Sequence, residues 1–386
     1  MNILFVVEPN FLNDHVGVRR VINYYYNEFK KLGREIYFTT YHNGEFNFVC
    51  AGEFPEKYKN SYSIRDFAPL TNEVLSISKI FGKSGVARQR DFLKKEKIAK
   101  NLSDFDDILI TAPWLVDDKF PVLKNTSGIV YDVIPNLVSL NEIWFNGRYA
   151  NLFKFTHQHK QGFEYFIRNS KKILHISENT KSDFALMKKY LKTTAVEHVV
   201  LPYEINSNIS NEVRGTEPIK ILCVNFFDVR KNFENGIQVL RKLKKEMDFE
   251  LYLVGGPRMN ARDIYNSLKL LDSDGIRYKW WLSGSDLTLR KLYQECDCLF
   301  FPSIYEGLGL PILEAQDYGK PCVTSNSSSC KEINYFGDLT CDYRDIDSFV
   351  ANLKKIKSGN YRINSSVHKE YVSQLQARYE HVGQIF

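Results

Sequence analysis

The sequence predicts an α/β protein made of two doubly wound domains that face each other across a cleft. Three observations carry this expectation. Strand-like apolar runs alternate with amphipathic runs, a polar interruption at 202–217 breaks the alternation, and the same alternation then restarts. Strands that alternate with helices imply a largely parallel sheet covered on both faces, and 386 residues suit two cores better than one.

In chain order, "NILFVVEP" reads as a first strand and "GVRRVINYYYNEFKKLG" as an amphipathic helix whose tyrosines, Tyr24 to Tyr26, make core contacts. "EIYFTTY", "DDILITAP", "SGIVYDVIP" and "KKILHIS" continue as strands. The segment "PYEINSNISNEVRGTE" has the Pro, Asn and Ser content of a linker. "IKILCVNFF", "FELYLVGG", "IRYKWWLSG", "CDCLFFPS" and "PCVTS" then read as strands of a second sheet, with Trp280 and Trp281 packing in core or cleft. The expected boundaries are an amino-terminal domain at 1–201, a linker at 202–217, a carboxy-terminal domain at 218–360 and a helical tail at 361–386 that packs back on the first domain.

Composition excludes several classes. With 44% hydrophobic and 25% charged residues the chain has the balance of a globular protein, and no apolar run approaches the roughly 20 residues of a membrane span. "MNILFVVEPN" lacks a basic leader and a small-residue cleavage site, so a cytosolic location is expected. A formal charge of +6 is too mild for a saturated nucleic-acid-binding face, so no nucleic acid is expected as a partner. The seven cysteines are odd in number and scattered through apolar segments, which suggests reduced core residues. Cys296 and Cys298 form only a C-x-C, and His157 and His159 point apart on a helix, so no metal site is expected.

In doubly wound sheets ligands bind beyond the carboxyl ends of the strands. "DHVGVRR", which contains Gly17, "YDVIP", which contains Tyr131 and Asp132, and "VNFFDVRKN" all follow strands and are expected at the cleft, with Asp132 a candidate catalytic residue and Gly17 and Tyr131 candidate ligand-binding residues. The absence of a G-x-G-x-x-G after either first strand argues against a nicotinamide or flavin cofactor. The densest signal is "YEGLGLPILEAQDYGKPCV", which sets Glu306 and Glu314 eight positions apart around Gly307, Gly309 and Pro311. Pro311 suits the first turn of a helix over about 311–319, with Glu306 on the loop before it and Glu314 in its first turn. Glycines let backbone N–H groups approach a ligand, and the helix start favours anionic, hydroxyl-rich molecules. The blander alternative is that Glu314 only complements the helix dipole and Glu306 is solvated. A glycosidase pair would lie about 5 to 9.5 Å apart, whereas eight helical residues already span roughly 12 Å. Two acceptors that grip different parts of one long ligand fit better.

"FFPSIYEGLGLPILEAQDYGKPCVTSN" resembles the E-x7-E signature of retaining nucleotide-sugar glycosyltransferases of family 4, which have the two-domain GT-B fold. "VNFFDVRKN" is similar to the family's phosphate loop, "LYLVGGP" to its central strand, "WLSGSDLTLRKLYQECD" to its pre-signature helix and "LHISENTKSDF" to a late amino-domain motif. The likeness runs over about 170–345 and is weaker elsewhere. It implies that Glu306 contacts donor-sugar hydroxyls, that Glu314 binds the nucleotide ribose, and that backbone N–H groups over Gly307, Leu308, Gly309 and Leu310 complete donor binding. Arg230 and Lys231 would neutralise the donor diphosphate; fixed cations stabilise a leaving group that gains negative charge. Two departures stand out. Asn225 and Phe226 replace the loop glycine and the arginine that follows it in many relatives, and Tyr131 before Asp132 replaces a histidine.

The resemblance implies a metal-independent retaining hexosyltransferase without a cofactor, acting on a nucleoside-diphosphate sugar and a surface-polysaccharide or lipid-linked glycan acceptor. Mannose from GDP-mannose is the preferred donor, on the "RKN" and "DVIP" character of the motifs. A catalytically weak protein that binds nucleotide sugar or glycan on the same fold is the alternative. Residues 79–100 carry eight Lys or Arg against two acids. They form either a solvated helix face or a docking surface for anionic lipid, which would hold the protein at the inner face of a membrane.

Overall fold

The computed structural model describes residues 1–8, 16–42, 44–49, 69–72, 101–136, 152–189, 191–205, 218–256, 258–259, 261–282, 284–357, 359, 361 and 363–386. The basic stretch 79–100, Cys50 and most of the 202–217 linker lie outside them. The described residues fall into two compact units.

The first unit opens with β1 (Asn2–Val7), α1 (Val16–Lys31), β2 (Glu35–His42) and β3 (Glu45–Val49). After β4 (Leu70–Thr71), which belongs to the other sheet, it continues with β5 (Asp107–Ile110), β6 (Thr126–Val130), α2 (Leu152–Asn169), β7 (Lys172–His175), α3 (Glu178–Lys188) and β8 (Val196–Val199). The strand order is β3-β2-β1-β5-β6-β7-β8, and every pairing is parallel except the β2–β3 hairpin. Because β1 is followed in sequence by β2 on one side and flanked by β5 on the other, the order reverses at the β1–β5 junction. Ile3 to Val7 are completely buried, and Phe5 packs edge-on to Phe29 of α1 at 5.8 Å. Tyr25 and Tyr26 lie in the same core, as the amphipathic pattern predicts.

The second unit contains β9 (Ile219–Val224), α4 (Phe233–Lys244), β10 (Phe249–Val254), α5 (Ala261–Ser273), β11 (Arg277–Trp281), α6 (Asp286–Glu295) and β12 (Cys298–Phe301). Then come α7 (Leu310–Asp317), β13 (Cys322–Ser325), α8 (Cys330–Ile333), β14 (Thr340–Cys341), α9 (Ile346–Lys357) and most of α10 (Ser365–Arg378). Its sheet runs β14-β13-β12-β9-β10-β11-β4, with a reversal between β9 and β12. Ser285 caps α6 by accepting the Thr288 N–H at 3.1 Å, a start signal that the hydroxyl position makes legible. Trp280 is buried and donates its indole N–H to Gly255 O at 3.0 Å. The six described cysteines are buried free thiols. Residues 376–386, with α11 (Val382–Ile385), go with the first unit, where Glu380 accepts the Val199 N–H at 3.1 Å.

One strand departs from the expected boundaries. Leu70 and Thr71 pair antiparallel with Trp280 and Lys279, so a segment placed in the amino-terminal domain is the edge of the second sheet. Asn72 anchors it: its amide donates to Ile276 O at 3.0 Å and to Asp272, and its carbonyl accepts the Tyr278 N–H at 3.1 Å. Two residues have no readable periodicity, so only tertiary structure shows this strand.

Asn72→Ala should therefore destabilise the second unit by about 1–3 kcal/mol, the usual loss when part-buried polar groups lose their partner. Denaturant unfolding, with amide exchange at Tyr278 as the local probe, checks this. Unchanged exchange at Tyr278 would contradict it.

Candidate functional site

The site is built at the β9–β12 junction. These strands are direct neighbours, yet β10 lies beyond β9 and β13 beyond β12, so the loops that leave their carboxyl ends diverge and open a crevice between them.

The loop after β9 is shaped by two left-handed asparagines. Asn225 has φ 52° and donates its N–H to Val254 O at 2.7 Å. Asparagine adopts this region more readily than most residues, so it can hold the bend without a glycine. Phe226 does not replace the missing arginine: it is buried in the core, and a Cβ added at Gly236 would fall 2.6 Å from its ring. Asp228 then accepts the Arg230 N–H at 2.9 Å and starts a 3-10 turn over Val229–Lys231. Asn232, at φ 59°, closes the turn and donates to Tyr343 O at 2.6 Å before α4 begins. Arg230 and Lys231 are thus set on a short rigid turn instead of on free surface loop.

The loop after β12 meets that turn directly. The Ile304 N–H donates to Arg230 O at 2.9 Å, and Arg230 Nη1 donates to Tyr305 O at 3.0 Å. Glu306 Oε2 accepts Arg230 Nη1 at 2.7 Å, while Oε1 accepts Lys231 Nζ at 2.6 Å and Ser303 Oγ at 2.5 Å. Glu306 is 6% exposed and Lys231 5%. The Lys231 ammonium also lies 4.2 Å from the centre of the Phe301 ring. Burial alone would raise the Glu306 pKa, but Arg230 first and Lys231 second hold it down to about 2. For Lys231, burial pulls the ammonium pKa below its ordinary value, against the opposing pull of Glu306. The carboxylate with its two cations leaves one net positive charge in a nearly dry site.

A serine run that the sequence reading passed over supports this loop. Ser327 Oγ donates to Ile304 O at 2.8 Å, Ser328 Oγ accepts the Glu306 N–H at 2.9 Å, and Ser329 Oγ donates to Glu306 O at 3.0 Å. The signal is three consecutive hydroxyls one residue beyond the buried strand β13.

Beyond Glu306, Leu308 is buried and Gly309 takes φ 86° as the cap of α7. A side chain there would be strained by the backbone and would sit 3.3 Å from Ile312 and Ile333. Pro311 lies in the first turn as expected, whereas Glu314 is the fifth residue of the helix and so belongs to its second turn. Glu314 is buried and accepts the Tyr293 phenol at 2.7 Å, and Tyr293 stacks on Tyr318 at 5.8 Å. Neither glutamate is a solvated surface group.

The remaining expected residues lie in the first unit. Gly17 is exposed at the start of α1, and a Cβ added there meets nothing within 4 Å, so packing does not demand glycine. Asp132 Oδ1 accepts the Ile134 N–H at 2.9 Å. Tyr131 is buried, and burial, then the nearby Glu8, raises its phenol pKa well above the ordinary range. His157 is exposed and His159 buried, and among the described residues no group of three His, Cys, Asp or Glu could hold a metal ion. Also among the described residues, no helix is long and apolar enough to cross a membrane.

Residues 205–371, which contain this site, match the family described as glycosyl transferases group 1. This part of the chain is a glycosyl transferases group 1 domain. The O-antigen chain mannosyltransferase B of Escherichia coli is 31% identical over 145 residues, which is 36% of this chain and 38% of that protein. The serotype-specific mannosyltransferase WbdA of Escherichia coli is 26% identical over 197 residues, which is 50% of this chain and 22% of that protein. Among solved structures, sucrose-phosphate synthase from Thermosynechococcus elongatus superimposes with a TM-score of 0.60 at 12% identity, covering 97% of this chain and 94% of its own. WaaG, a glycosyltransferase involved in lipopolysaccharide biosynthesis, does so with 0.55 at 12% identity, covering 96% and 93%. The fold is that of the GT-B glycosyltransferases.

Because the Glu306 pKa is depressed, its contribution to stability is complete above the ordinary carboxyl value of 4.5 and is lost as pH falls towards about 2. Glu306→Gln should remove that part of the acid dependence and lower stability at neutral pH on the order of 3 kcal/mol. Denaturant unfolding of both proteins across pH 2 to 7 measures it. Parallel curves for wild type and variant would mean that the carboxylate is not held by the two cations.

Proposed function

We propose that the protein is a retaining glycosyltransferase that moves a hexose from a nucleoside-diphosphate sugar to a growing surface-polysaccharide or lipid-linked glycan, with mannose from GDP-mannose as the preferred donor. The observation that supports this most is the joining of Arg230, Lys231 and Glu306 at the strand-order reversal of a glycosyl transferases group 1 domain. The mannosyltransferase names of the relatives support the choice of sugar.

In this reading the donor diphosphate takes over hydrogen bonds from Arg230 and Lys231, and their charge stabilises the leaving nucleoside diphosphate as the bond from the sugar C1 to its oxygen breaks. The acceptor oxygen bonds to C1 on the same face, and its proton passes to the departing phosphate oxygen. Glu306, drawn towards the sugar hydroxyls, stays linked to Ser303, and Glu314 with Tyr293 receives the ribose. Two fixed cations supply positive charge at the diphosphate, so no divalent ion or cofactor is needed. Phe226, buried where relatives place a cation, favours a second reading: a protein that binds nucleotide sugar and turns it over weakly.

Thermal shifts with GDP-mannose, UDP-glucose, UDP-galactose and dTDP-rhamnose should single out GDP-mannose, followed by transfer that survives EDTA and gives an α-linked product by NMR. Lys231→Ala should lower turnover roughly a hundredfold or more, while Glu314→Ala should chiefly raise the KM for donor. Binding without transfer by the wild-type protein would favour the second reading. Unchanged turnover of Lys231→Ala at saturating donor would remove the role assigned to that lysine.

A further inference from the structure

A third cation stands beside the turn that carries Arg230 and Lys231. Arg258 lies between β10 and α5, and its N–H donates to Phe227 O at 2.9 Å, which ties this segment to the loop after β9. The two loops also meet at their base. Gly255 takes φ 116°, and a Cβ there would fall 2.2 Å from Asn225 Oδ1. The Gly255 N–H donates to Trp281 O at 2.9 Å and its carbonyl accepts the Trp280 indole, so Arg258 extends from a fixed stem. Its side chain is 60% exposed and reaches back towards Asp228, with Nη1 3.8 Å from Oδ2. At that distance the charges attract without a hydrogen bond, and the guanidinium keeps N–H donors for another anion.

Asp228 is buried, its Oδ1 accepts the Arg230 N–H, and its charge is felt at Lys231. Arg230 and Lys231 are thus balanced by Glu306 and Asp228, and these four groups carry no net charge. Arg258 gives the cluster its net positive charge. An anion that approaches the site meets two cations already holding a carboxylate and a third, Arg258, that stands largely in solvent.

We propose that Arg258 captures the diphosphate of an incoming nucleotide, and that Arg230 and Lys231 receive it from there as Glu306 releases them; that the nucleotide is a glycosyl donor rests on the reading under Proposed function. The forked N–H groups of a guanidinium match paired phosphate oxygens. Electrostatics favours this order of events. Drawing Arg258 away from Asp228 costs little, because the pair is long and half open to solvent, and Asp228 keeps the Arg230 N–H and the nearby Lys231 charge. Freeing Arg230 and Lys231 from Glu306 before a ligand arrives would instead leave two buried cations without an anion. The exposed cation therefore acts first and the buried pair second.

Stopped-flow and calorimetric binding of GDP, UDP and inorganic pyrophosphate to the full chain tests the capture role. Arg258→Ala should weaken the tighter-binding nucleotide about tenfold, chiefly through slower association that depends less on salt, and should weaken pyrophosphate by a similar factor. Arg258→Lys should recover most of the association rate, because charge steers the encounter. Asp228→Asn, which keeps an oxygen for the Arg230 N–H, should associate faster than wild type. The proposal is overturned if Arg258→Ala binds the nucleotide like wild type, if its loss lies only in dissociation, or if pyrophosphate is unaffected, which would mark a contact to the base. A folded Asp228→Asn that associates no faster would overturn it too. If wild type binds none of the three probes, the capture role and the transferase reading both fall. Loss of nucleotide binding in Arg258→Ala, in a protein that transfers no sugar, would uphold capture while rejecting the transferase reading.

Discussion

The carboxylate of Glu306 held between Arg230 and Lys231 is the contact on which the second unit's functional architecture depends. It joins two loops that begin on neighbouring strands but are 75 residues apart in sequence. A buried ion cluster of this kind gives little net stability relative to an apolar cluster, yet losing Glu306 would leave two adjacent cations without their shared anion. Its value is therefore positional. The 3-10 turn at Val229–Lys231, the αL asparagines that flank it and the hydroxyls of Ser327, Ser328 and Ser329 hold the loops so that the three charges can meet.

The cluster also changes the meaning of the departures in this chain. With Phe226 turned into the core, the loop after β9 carries two cations, and in the structure both are already committed to one anion. A ligand that uses them must compete with an internal carboxylate. The exchange of one anion for another keeps an anion beside the two cations throughout, which avoids the much larger penalty of bare cations in a buried site.

Much of this was legible in the sequence because the relevant signals are local. Alternating apolar and amphipathic runs located the strands, Pro311 located the start of α7 with Glu306 on the loop before it, and the carboxyl-end rule placed Arg230 and Lys231 on the loop that leaves β9. What escaped depends on contacts distant in sequence. β4 is two residues long and has no period of its own. Glu306 looked available to a sugar because nothing in its neighbourhood shows that Arg230 and Lys231 occupy it. Tyr293, which fixes Glu314, lies on a different helix, and its pairing depends on how α6 meets α7. Asp132, Gly17 and Tyr131 were placed only at strand ends, and no local pattern distinguishes a ligand contact there from a turn or a core position.

The strand Leu70–Thr71 carries a consequence for how the protein can be divided. The chain passes between the two units four times, and one of those passages delivers an edge strand to the second sheet. A fragment cut at the linker would leave β11 with an open edge, and the complementary fragment would carry an orphan strand able to pair with another molecule's sheet. Exposed edges of this kind seed aggregation and domain exchange. The two halves are therefore poor candidates for separate expression or for exchange with other proteins by simple module swapping. A workable exchange would have to move residues 69–72 together with the second unit.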